Sequence, residues 1–222
     1  MKVSVIIPTM NEEGSIGEVL DSIPKDFADV EMIVVDTNSK DRTVEIAKSK
    51  GAKVIGEPRR GYGRAYKTGF ENAEGEIIVT LDGDSTYPAE AIPDLVKTLL
   101  DDGLDFITCD RISMLKGETM NFQHRLGNLI LTKAANILFG VKLKDSQSGM
   151  WVFRREMLKR LRLEADGMQF SEELKIKAFS GGMKVREVPI EYRHRIGDVK
   201  LNTWKDGTRN LAFIVISRLS SG

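Results

Sequence analysis

Short apolar runs alternate with helical patterns through residues 1–110, and this alternation constrains the fold more than any other feature. The runs Val3–Ile7, Met32–Val35 and Ile77–Leu81 are rich in β-branched residues, and Lys53–Ile55 is a shorter, weaker run. Continuous apolar runs suit parallel strands that are buried on both faces of a sheet. Apolar residues between the runs recur at helical spacing. The pattern predicts an α/β fold whose doubly wound, mostly parallel sheet is flanked by helices.

The second half of the chain is less regular. Helical patterns cover Thr119–Phe139, Phe170–Ser180 and Thr203–Leu219, and strand patterns cover Asp105–Cys109, Met150–Phe153 and Val185–Tyr192. The sequence contains no low-complexity linker and no repeat with a period of about 20 to 50 residues. We therefore expect one compact domain whose C-terminal third packs against the edge of the sheet that carries the site.

Acidic residues follow three of the predicted strands. Asp82 and Asp84 come directly after Ile77–Leu81, and alternation along an extended chain points both carboxylates to one side. Glu12 and Asp36 follow the first two strands, so all four meet at the carboxyl edge, where open α/β folds bind ligands. Two close carboxylates favour a divalent cation with oxygen ligands. The alternative is an acidic turn in which Asp84 only caps the next helix.

A basic, glycine-containing loop precedes a helical pattern at residues 58–66. Arg60 and Gly61 lie in this loop, which could approach a diphosphate through backbone N–H groups and the helix N-terminus. The loop is not a dinucleotide-binding fingerprint, because Tyr66 occupies the position of the third glycine. An exposed arginine-rich turn is the alternative interpretation.

Composition excludes several classes of protein. The 33 Lys and Arg residues balance 33 Asp and Glu residues, so no bulk attraction to nucleic acid is indicated. Cys109 is the only cysteine, which excludes an internal disulfide and a cysteine-based zinc site and suits a reducing compartment. The N-terminus has no signal-peptide layout, and no apolar stretch approaches the ~20 residues that a membrane span needs. We therefore expect a cytoplasmic protein.

Seven segments, in order along the chain, resemble motifs of the family 2 glycosyltransferases of the GT-A fold. They are similar above all to those of the polyprenyl-phosphate hexose synthases, which include the dolichyl-phosphate mannose and glucose synthases. The segments are Val5–Glu12, Val34–Thr43, Arg60–Ala65, Asp82–Glu90, Asp145–Met150, Phe170–Glu173 and Glu187–Ile190 with Arg195–Leu201. Thr37 and Asn38 depart from the usual Asp-Gly, and Val199 stands where the family often has Ser.

The resemblance implies a single GT-A domain over residues 1–222, with a nucleotide-sugar-binding half (1–110) and an acceptor- and membrane-facing half (111–222). It implies that a hexose moves with inversion from GDP-mannose or UDP-glucose to dolichyl or polyprenyl phosphate, with Mg²⁺ or Mn²⁺. UDP-N-acetylglucosamine as donor and a non-lipid acceptor remain alternatives. Because a phosphate monoester has a second pKa near 6, the acceptor is already an anion at neutral pH, and a dedicated general base is not required.

The resemblance also implies roles for individual residues. Asp82 and Asp84 would bind the metal and, together with Arg195, act in catalysis. The implied donor-binding residues are Pro8, Asn11, Glu12, Asp36, Ser39, Arg60, Gly61, Asp82, Gly83 and Lys200. The implied acceptor-binding residues are Arg111, Arg125, Asp145 and Glu173.

An apolar stripe on the predicted helix Thr119–Phe139 suggests membrane contact. Its residues are Leu126, Leu129, Ile130, Ala134, Ile137 and Leu138. The same helix carries Arg125 and Lys133, as expected of a helix that lies in the lipid interface, and the apolar run Leu211–Ile216 adds to this indication. We expect peripheral contact with the cytoplasmic face of a membrane. The alternative is an ordinary helix packed on the sheet.

Two other classes of function fit part of the sequence. Asp82–Thr86 satisfies the Asp-x-Asp-x-Thr motif of haloacid dehalogenase-type phosphohydrolases, but that motif normally follows the first strand of a chain, and here it follows a later one. A non-catalytic sugar-nucleotide-binding protein is the second alternative, and metal-dependent turnover would distinguish it from an enzyme.

Overall fold

A seven-stranded sheet forms the centre of the computed structural model, which describes residues 1–115, 119–197 and 203–219. The strands are β1 (Lys2–Thr9), β2 (Asp29–Asp36), β3 (Lys53–Gly56), β4 (Ile77–Thr80), β5 (Phe106–Asp110), β6 (Trp151–Arg154) and β7 (Val185–Pro189). Their order in the sheet is β3-β2-β1-β4-β6-β5-β7. Strand β6 runs antiparallel to both of its neighbours, and the other pairs are parallel. The predicted α/β class and mostly parallel sheet are confirmed.

Helices cover both faces of this sheet. They are α1 (Ile16–Ser22), α2 (Thr43–Ser49), α3 (Tyr62–Asn72), α4 (Ile92–Asp101), α5 (Phe122–Phe139), α6 (Phe170–Ser180) and α7 (Thr203–Leu219), with 3₁₀ helices at Ala89–Ala91 and Arg155–Arg160. Helices α1, α2 and α4 pack on one face, and α3 and α6 on the other. Alternate residues of β1 serve the two cores: Val5 and Ile7 contribute to one, and Ile6 to the other. This burial on both faces explains the continuous apolar runs.

Most predicted boundaries are right to within a few residues. Helix α5 begins at Phe122 because the Asn121 side chain accepts a hydrogen bond from the His124 backbone N–H at 2.8 Å and caps the helix. Strand β7 ends at Pro189, before the predicted end at Tyr192. Its parallel partner β5 also ends there: Asp110 pairs with Pro189, and the Ile190 N–H makes the last bond, to the Asp110 carbonyl at 3.0 Å.

The order of the strands determines where the candidate site lies. Because β1 lies between β2 and β4, the loops that follow these three strands meet at one place on the carboxyl edge of the sheet. On the other side of β6, strand β5 ends at Asp110 and leads directly into Arg111. The sheet thus brings residues of the first and second halves of the chain to a common edge.

Candidate active site

Hydrogen bonds lock the loops after β1 and β2 into one unit. Asp36 accepts from Thr9 Oγ1 at 3.2 Å and from the Ser39 backbone N–H at 3.0 Å. The backbone N–H of Asn11 donates to Ser39 Oγ at 2.8 Å, and Asn11 Oδ1 accepts from the Lys40 N–H at 2.7 Å. The predicted donor-binding residues Asn11, Asp36 and Ser39 are therefore held together at the sheet edge.

Backbone strain is concentrated at the same edge. Among the described residues, the non-glycine residues with positive φ are Asn11 (54°), Asn38 (53°) and Ser85 (64°). One lies in each of the loops after β1, β2 and β4. Asparagine tolerates the left-handed region better than most residues, whereas serine is less common there. Strained backbone of this kind clusters at functional sites, where surrounding contacts hold it in place.

The two carboxylates after β4 have different surroundings. Asp84 is buried and accepts hydrogen bonds from the Thr86 backbone N–H at 3.1 Å and from Thr86 Oγ1 at 2.6 Å. Asp82 accepts a hydrogen bond from the Tyr62 hydroxyl at 3.1 Å. Burial, and secondarily the charge of Asp84, raises the pKa of Asp82 to about 7. A cation bound between these carboxylates would relieve their repulsion.

Arg195 bridges the carboxylates of Asp84 and Glu12. Its Nη1 lies 2.9 Å from Asp84 Oδ2, and its Nη2 lies 3.5 Å from Glu12 Oε1. The backbone of the same segment is also attached, because the Ile196 N–H donates to the Asp84 carbonyl at 3.0 Å. The predicted catalytic residues Asp84 and Arg195 are thus in direct contact, and Glu12 joins them.

The residues fit a divalent cation whose remaining ligands come from substrate. No cluster of three or more His, Cys, Asp or Glu side chains that could hold a metal occurs within residues 1–115, 119–197 and 203–219. The oxygens of Asp82 and Asp84 are nevertheless hard ligands, and Mg²⁺ commonly binds one or two carboxylates together with substrate phosphates. The guanidinium of Arg195 already places a positive charge against Asp84. In addition, Ser85 Oγ and Arg195 Nε are buried and lack a hydrogen-bond partner in the described part of the chain.

The expected use of backbone N–H groups at the start of α3 is wrong. The N–H groups of Gly63 and Arg64 donate to the carbonyls of Gly167 and Asp166, at 3.3 and 3.0 Å. Gly61 is required for this packing, since a Cβ there would stand 2.3 Å from the Asp166 carbonyl oxygen. These donors are therefore engaged by another loop and do not face a diphosphate.

The basic loop is also less basic than its sequence suggests. Arg59 and Arg64 each bind the buried carboxylate of Glu57, at 2.9 Å. The hydrogen bond from Arg59, followed by that from Thr68, holds the pKa of Glu57 well below its usual range. Arg60 is exposed, and its role as a donor contact stays a prediction.

Arg111 and Asp145 form a buried, bidentate ion pair. Arg111 Nε and Nη2 donate to the two carboxylate oxygens of Asp145 at 2.7 and 2.9 Å, and Asn128 Nδ2 donates to the same carboxylate at 2.9 Å. Burial alone would raise the pKa of Asp145, but the charge and hydrogen bonds of Arg111, together with the charge of Lys175, outweigh burial and lower this pKa to about 2. The Asp145 side chain is fully buried. The expected direct contact between Asp145 and the acceptor is therefore corrected: Asp145 positions Arg111.

The other predicted acceptor residues are placed differently. Glu173 is buried and accepts from the backbone N–H groups of Glu164 and Ala165, at 2.9 and 2.8 Å, so it fixes a loop and does not face an acceptor. Arg125 is exposed in the first turn of α5. Lys200 lies outside the described residues.

Pro8 and Gly83 lie at the predicted edge. Pro8 pairs with Val35 next to the end of β1. The Gly83 carbonyl accepts from Ser15 Oγ at 2.6 Å, and a Cβ on Gly83 would lie 3.1 Å from Thr9 Cγ2. Close approach of the backbone therefore explains the glycine between the two aspartates.

Sequence reasoning missed several residues that shape the site. Tyr62 and Tyr66, one turn apart on α3, both direct their hydroxyls at Asp82 Oδ1, at 3.1 and 3.4 Å. Gly149 lies against this group, because a Cβ there would stand 2.1 Å from the Tyr62 hydroxyl oxygen and 3.3 Å from Asp82 Oδ1. The spacing of the two tyrosines was the available signal, but aromatic residues at helical spacing usually indicate core packing.

One face of α5 and α7 is apolar and exposed; we call it the α5/α7 face. It is formed by Phe122, Leu126, Leu129, Ile130 and Ile137 of α5 and by Leu211, Val215, Ile216 and Leu219 of α7. The opposite side of α5 carries the buried residues Asn128, Leu131, Thr132 and Ala135. Of the predicted stripe, Ala134 and Leu138 are half-buried and the rest is exposed, so the stripe does not pack on the sheet. No described helix is both long enough and apolar enough to span a bilayer.

Comparisons with known proteins identify related chains. The family described as "Glycosyl transferase family 2" matches residues 4–162. A dolichyl-phosphate hexose transferase of Haloferax volcanii is 38% identical over 207 residues, which cover 92% of this chain and 88% of the relative. The hexosyltransferase Agl6 of low-salt glycan biosynthesis, from the same organism, is 33% identical over 96% of this chain; the chain spans only 53% of that relative.

Solved structures show the same fold. Glucosyl-3-phosphoglycerate synthase from Mycobacterium tuberculosis, in complex with Mn²⁺, UDP and glucosyl-3-phosphoglycerate, matches with a TM-score of 0.80 and 28% identity. The match covers 98% of this chain and 79% of that one. The same enzyme in complex with Mg²⁺ and UDP matches with a TM-score of 0.80 and 27% identity.

Proposed function

This chain belongs to glycosyl transferase family 2, and on that premise we propose that it transfers a hexose from a nucleotide sugar to dolichyl or polyprenyl phosphate. GDP-mannose and UDP-glucose are the donors we favour. The observation that carries the proposal is Arg111, whose side chain Asp145 holds by two hydrogen bonds, beside the carboxylate edge and next to Asn128 of α5. A buried guanidinium in this position suits a phosphate, and the exposed apolar face of α5 suits the lipid that carries it.

The chain's own residues have distinct tasks in this reaction. Asp82 and Asp84 would hold Mg²⁺ or Mn²⁺, which when bound would offset the charge of the departing nucleoside diphosphate. Arg195, beside Asp84, would contribute a second positive charge toward the same diphosphate. Arg111 and Arg125 would hold the acceptor phosphate. Because that phosphate is already an anion, no side chain has to remove a proton from it.

The charges around the α5/α7 face support a lipid partner. Helix α5 contains no Asp or Glu, whereas its Arg125 and Lys133 side chains are exposed. Basic residues beside an exposed apolar face favour the surface of an anionic membrane. We therefore include peripheral membrane contact in the proposal.

Vesicle flotation tests this contact. Ile130→Glu should reduce binding to phosphatidylglycerol vesicles, because a charge replaces an apolar side chain that is half exposed. Leu100→Glu, at an exposed apolar position on α4, is the matched control and should leave binding unchanged. Equal flotation of the wild type and both variants would contradict the membrane contact.

An acceptor panel tests the reaction itself. GDP-mannose, UDP-glucose and UDP-N-acetylglucosamine would each be incubated with dolichyl phosphate or with 3-phosphoglycerate, with Mn²⁺ or with a chelator. The second acceptor is included because the solved neighbours are glucosyl-3-phosphoglycerate synthases. We expect transfer to the lipid phosphate and none in the chelator. Transfer to 3-phosphoglycerate alone would replace the proposed acceptor, and binding without turnover would favour a non-catalytic protein.

A further inference from the structure

A fully buried lysine lies under the turn that carries Asp145. Lys175, in the middle of α6, has no exposed surface. Its ammonium group donates to the carbonyls of Ser146 and Ser148, each at 2.8 Å, and to the carbonyl of Asp145 at 3.1 Å. All of these carbonyls belong to the short segment 145–149, which we call the acceptor turn. One charged group therefore binds three of the five carbonyls of this turn.

Burial of a lysine in this place is energetically unfavourable unless its charge is compensated. Burial lowers the pKa of Lys175 to about 8, and the neighbouring Asp145 carboxylate opposes that shift. Arg111, Glu187 and Glu172 also act on Lys175, the first by repulsion and the other two by attraction. Lysine is rarely buried without a specific partner. Here the partners are three backbone carbonyls of the turn and the Ser171 hydroxyl, at 3.3 Å, so most bonds of the ammonium group hold the turn.

Both ends of the acceptor turn contact residues of the candidate site. At its start, the Asp145 carboxylate holds Arg111 through three hydrogen bonds, including one from the Arg111 backbone N–H at 3.1 Å. At its end, Gly149 lies against Tyr62 and Asp82, and its N–H donates to the Tyr87 hydroxyl at 2.7 Å. A change in the turn would therefore move the arginine relative to the metal-binding carboxylates.

We propose that Lys175 is the positioning residue for Arg111: by binding the carbonyls of the acceptor turn, it sets the direction of the Asp145 carboxylate and hence of the guanidinium. Lys175 does not touch substrate and is not a catalytic residue. Its effect on acceptor binding rests on the proposed function, whereas its effect on Arg111 does not.

The first test observes Arg111 directly. In ¹⁵N-labelled protein, the Nε–H signal of Arg111 is assigned by its loss in Arg111→Lys, and its exchange with solvent is measured. Lys175→Met removes the ammonium group at nearly constant length. Leu174→Ala, at the adjacent buried core position, controls for general loosening of α6. If Lys175→Met does not fold, Lys175→Gln, which keeps N–H donors without the charge, replaces it.

We expect exchange of the Arg111 Nε–H to accelerate by about tenfold or more in Lys175→Met and to stay close to the wild-type rate in Leu174→Ala, because a buried hydrogen bond is lost only in the former. Unchanged exchange in Lys175→Met, or equal acceleration in both variants, would overturn the inference.

The second test separates this inference from the proposed function. With farnesyl phosphate as a soluble acceptor probe, Lys175→Met should raise the acceptor KM about tenfold and change the donor KM less than twofold. Accelerated Arg111 exchange without any change in the acceptor KM would support the positioning role of Lys175. The same result would contradict the assignment of Arg111 to the acceptor.

Discussion

Replacement of Arg195 should strengthen metal binding while it weakens catalysis. Arg195 Nη1 lies 2.9 Å from Asp84 Oδ2, and Asp84 is the residue that we assign as the main metal ligand. The guanidinium and a divalent cation compete for this oxygen. In the wild type, metal binding must therefore break or weaken an existing ion pair, and in Arg195→Met it does not.

The structure gives the size of this effect. Two unit charges about 4 Å apart attract by about 1 kcal/mol in water and by about 4 kcal/mol at an effective dielectric constant of 20. The Asp84 side chain is 5% exposed and that of Arg195 is 25% exposed, so a value between these limits applies, and we take about 2 kcal/mol. Since 1.4 kcal/mol corresponds to a factor of ten, the Kd for Mn²⁺ should fall by about 10- to 30-fold.

Titration calorimetry with Mn²⁺ in the absence of substrate measures this Kd. Arg193→Met is the matched control, because it removes the same charge from the same segment. The Arg193 side chain pairs with Glu90 and Glu191 and not with Asp84. We expect its Kd for Mn²⁺ to equal that of the wild type. Turnover of Arg195→Met at saturating donor should fall by about 10²-fold through loss of one stabilising contact. Equal or weaker Mn²⁺ binding by Arg195→Met would refute the competition.

Three further predictions concern single side chains. Asp84→Asn should abolish both Mn²⁺ binding and transfer and leave the far-UV circular dichroism spectrum unchanged; full activity would remove Asp84 from the metal site. Arg111→Ala should raise the KM for polyprenyl phosphate more than the KM for the nucleotide sugar, and an equal rise in both would show that the acceptor lies elsewhere. Glu172→Gln should flatten the dependence of Tm on pH. Burial raises the pKa of Glu172 from 4.5 to about 8, so the wild type loses stability as the pH rises from about 4.5 to about 8. Parallel Tm curves for the wild type and Glu172→Gln would contradict this.

The sequence was sufficient to predict the sheet and the edge that carries the site. The runs at β1, β2 and β4 are buried on both faces, and such strands are recognisable because most of their residues are apolar. The acidic residues that follow these runs lie at the carboxyl edge of the sheet, because the three strands are adjacent and parallel. The antiparallel direction of β6 was not predictable, because residues 151–154 form a run that is equally apolar in either direction.

Charged residues were predicted least well, because the sequence does not show which charged groups pair or which of them are buried. Arg59 and Arg64 were interpreted as part of a basic loop, but both pair with the buried Glu57. Lys175 reads as an ordinary polar residue of a helix, since burial on both sides of α6 leaves no apolar stripe to set it apart. In the loop a buried carboxylate offsets part of the positive charge, and in α6 backbone carbonyls surround a buried ammonium group.

The position of β6 has a consequence for how proteins of this shape can be recombined. Residues 151–154 come from the second half of the chain, yet they pair with β4 on one side and β5 on the other, both from the first half. A chimera cut near residue 110 would therefore exchange a strand in the middle of the sheet as well as the residues that we propose to face the acceptor. Substrate preference in such a scaffold is more readily altered by grafting the loops at the sheet edge than by trading halves.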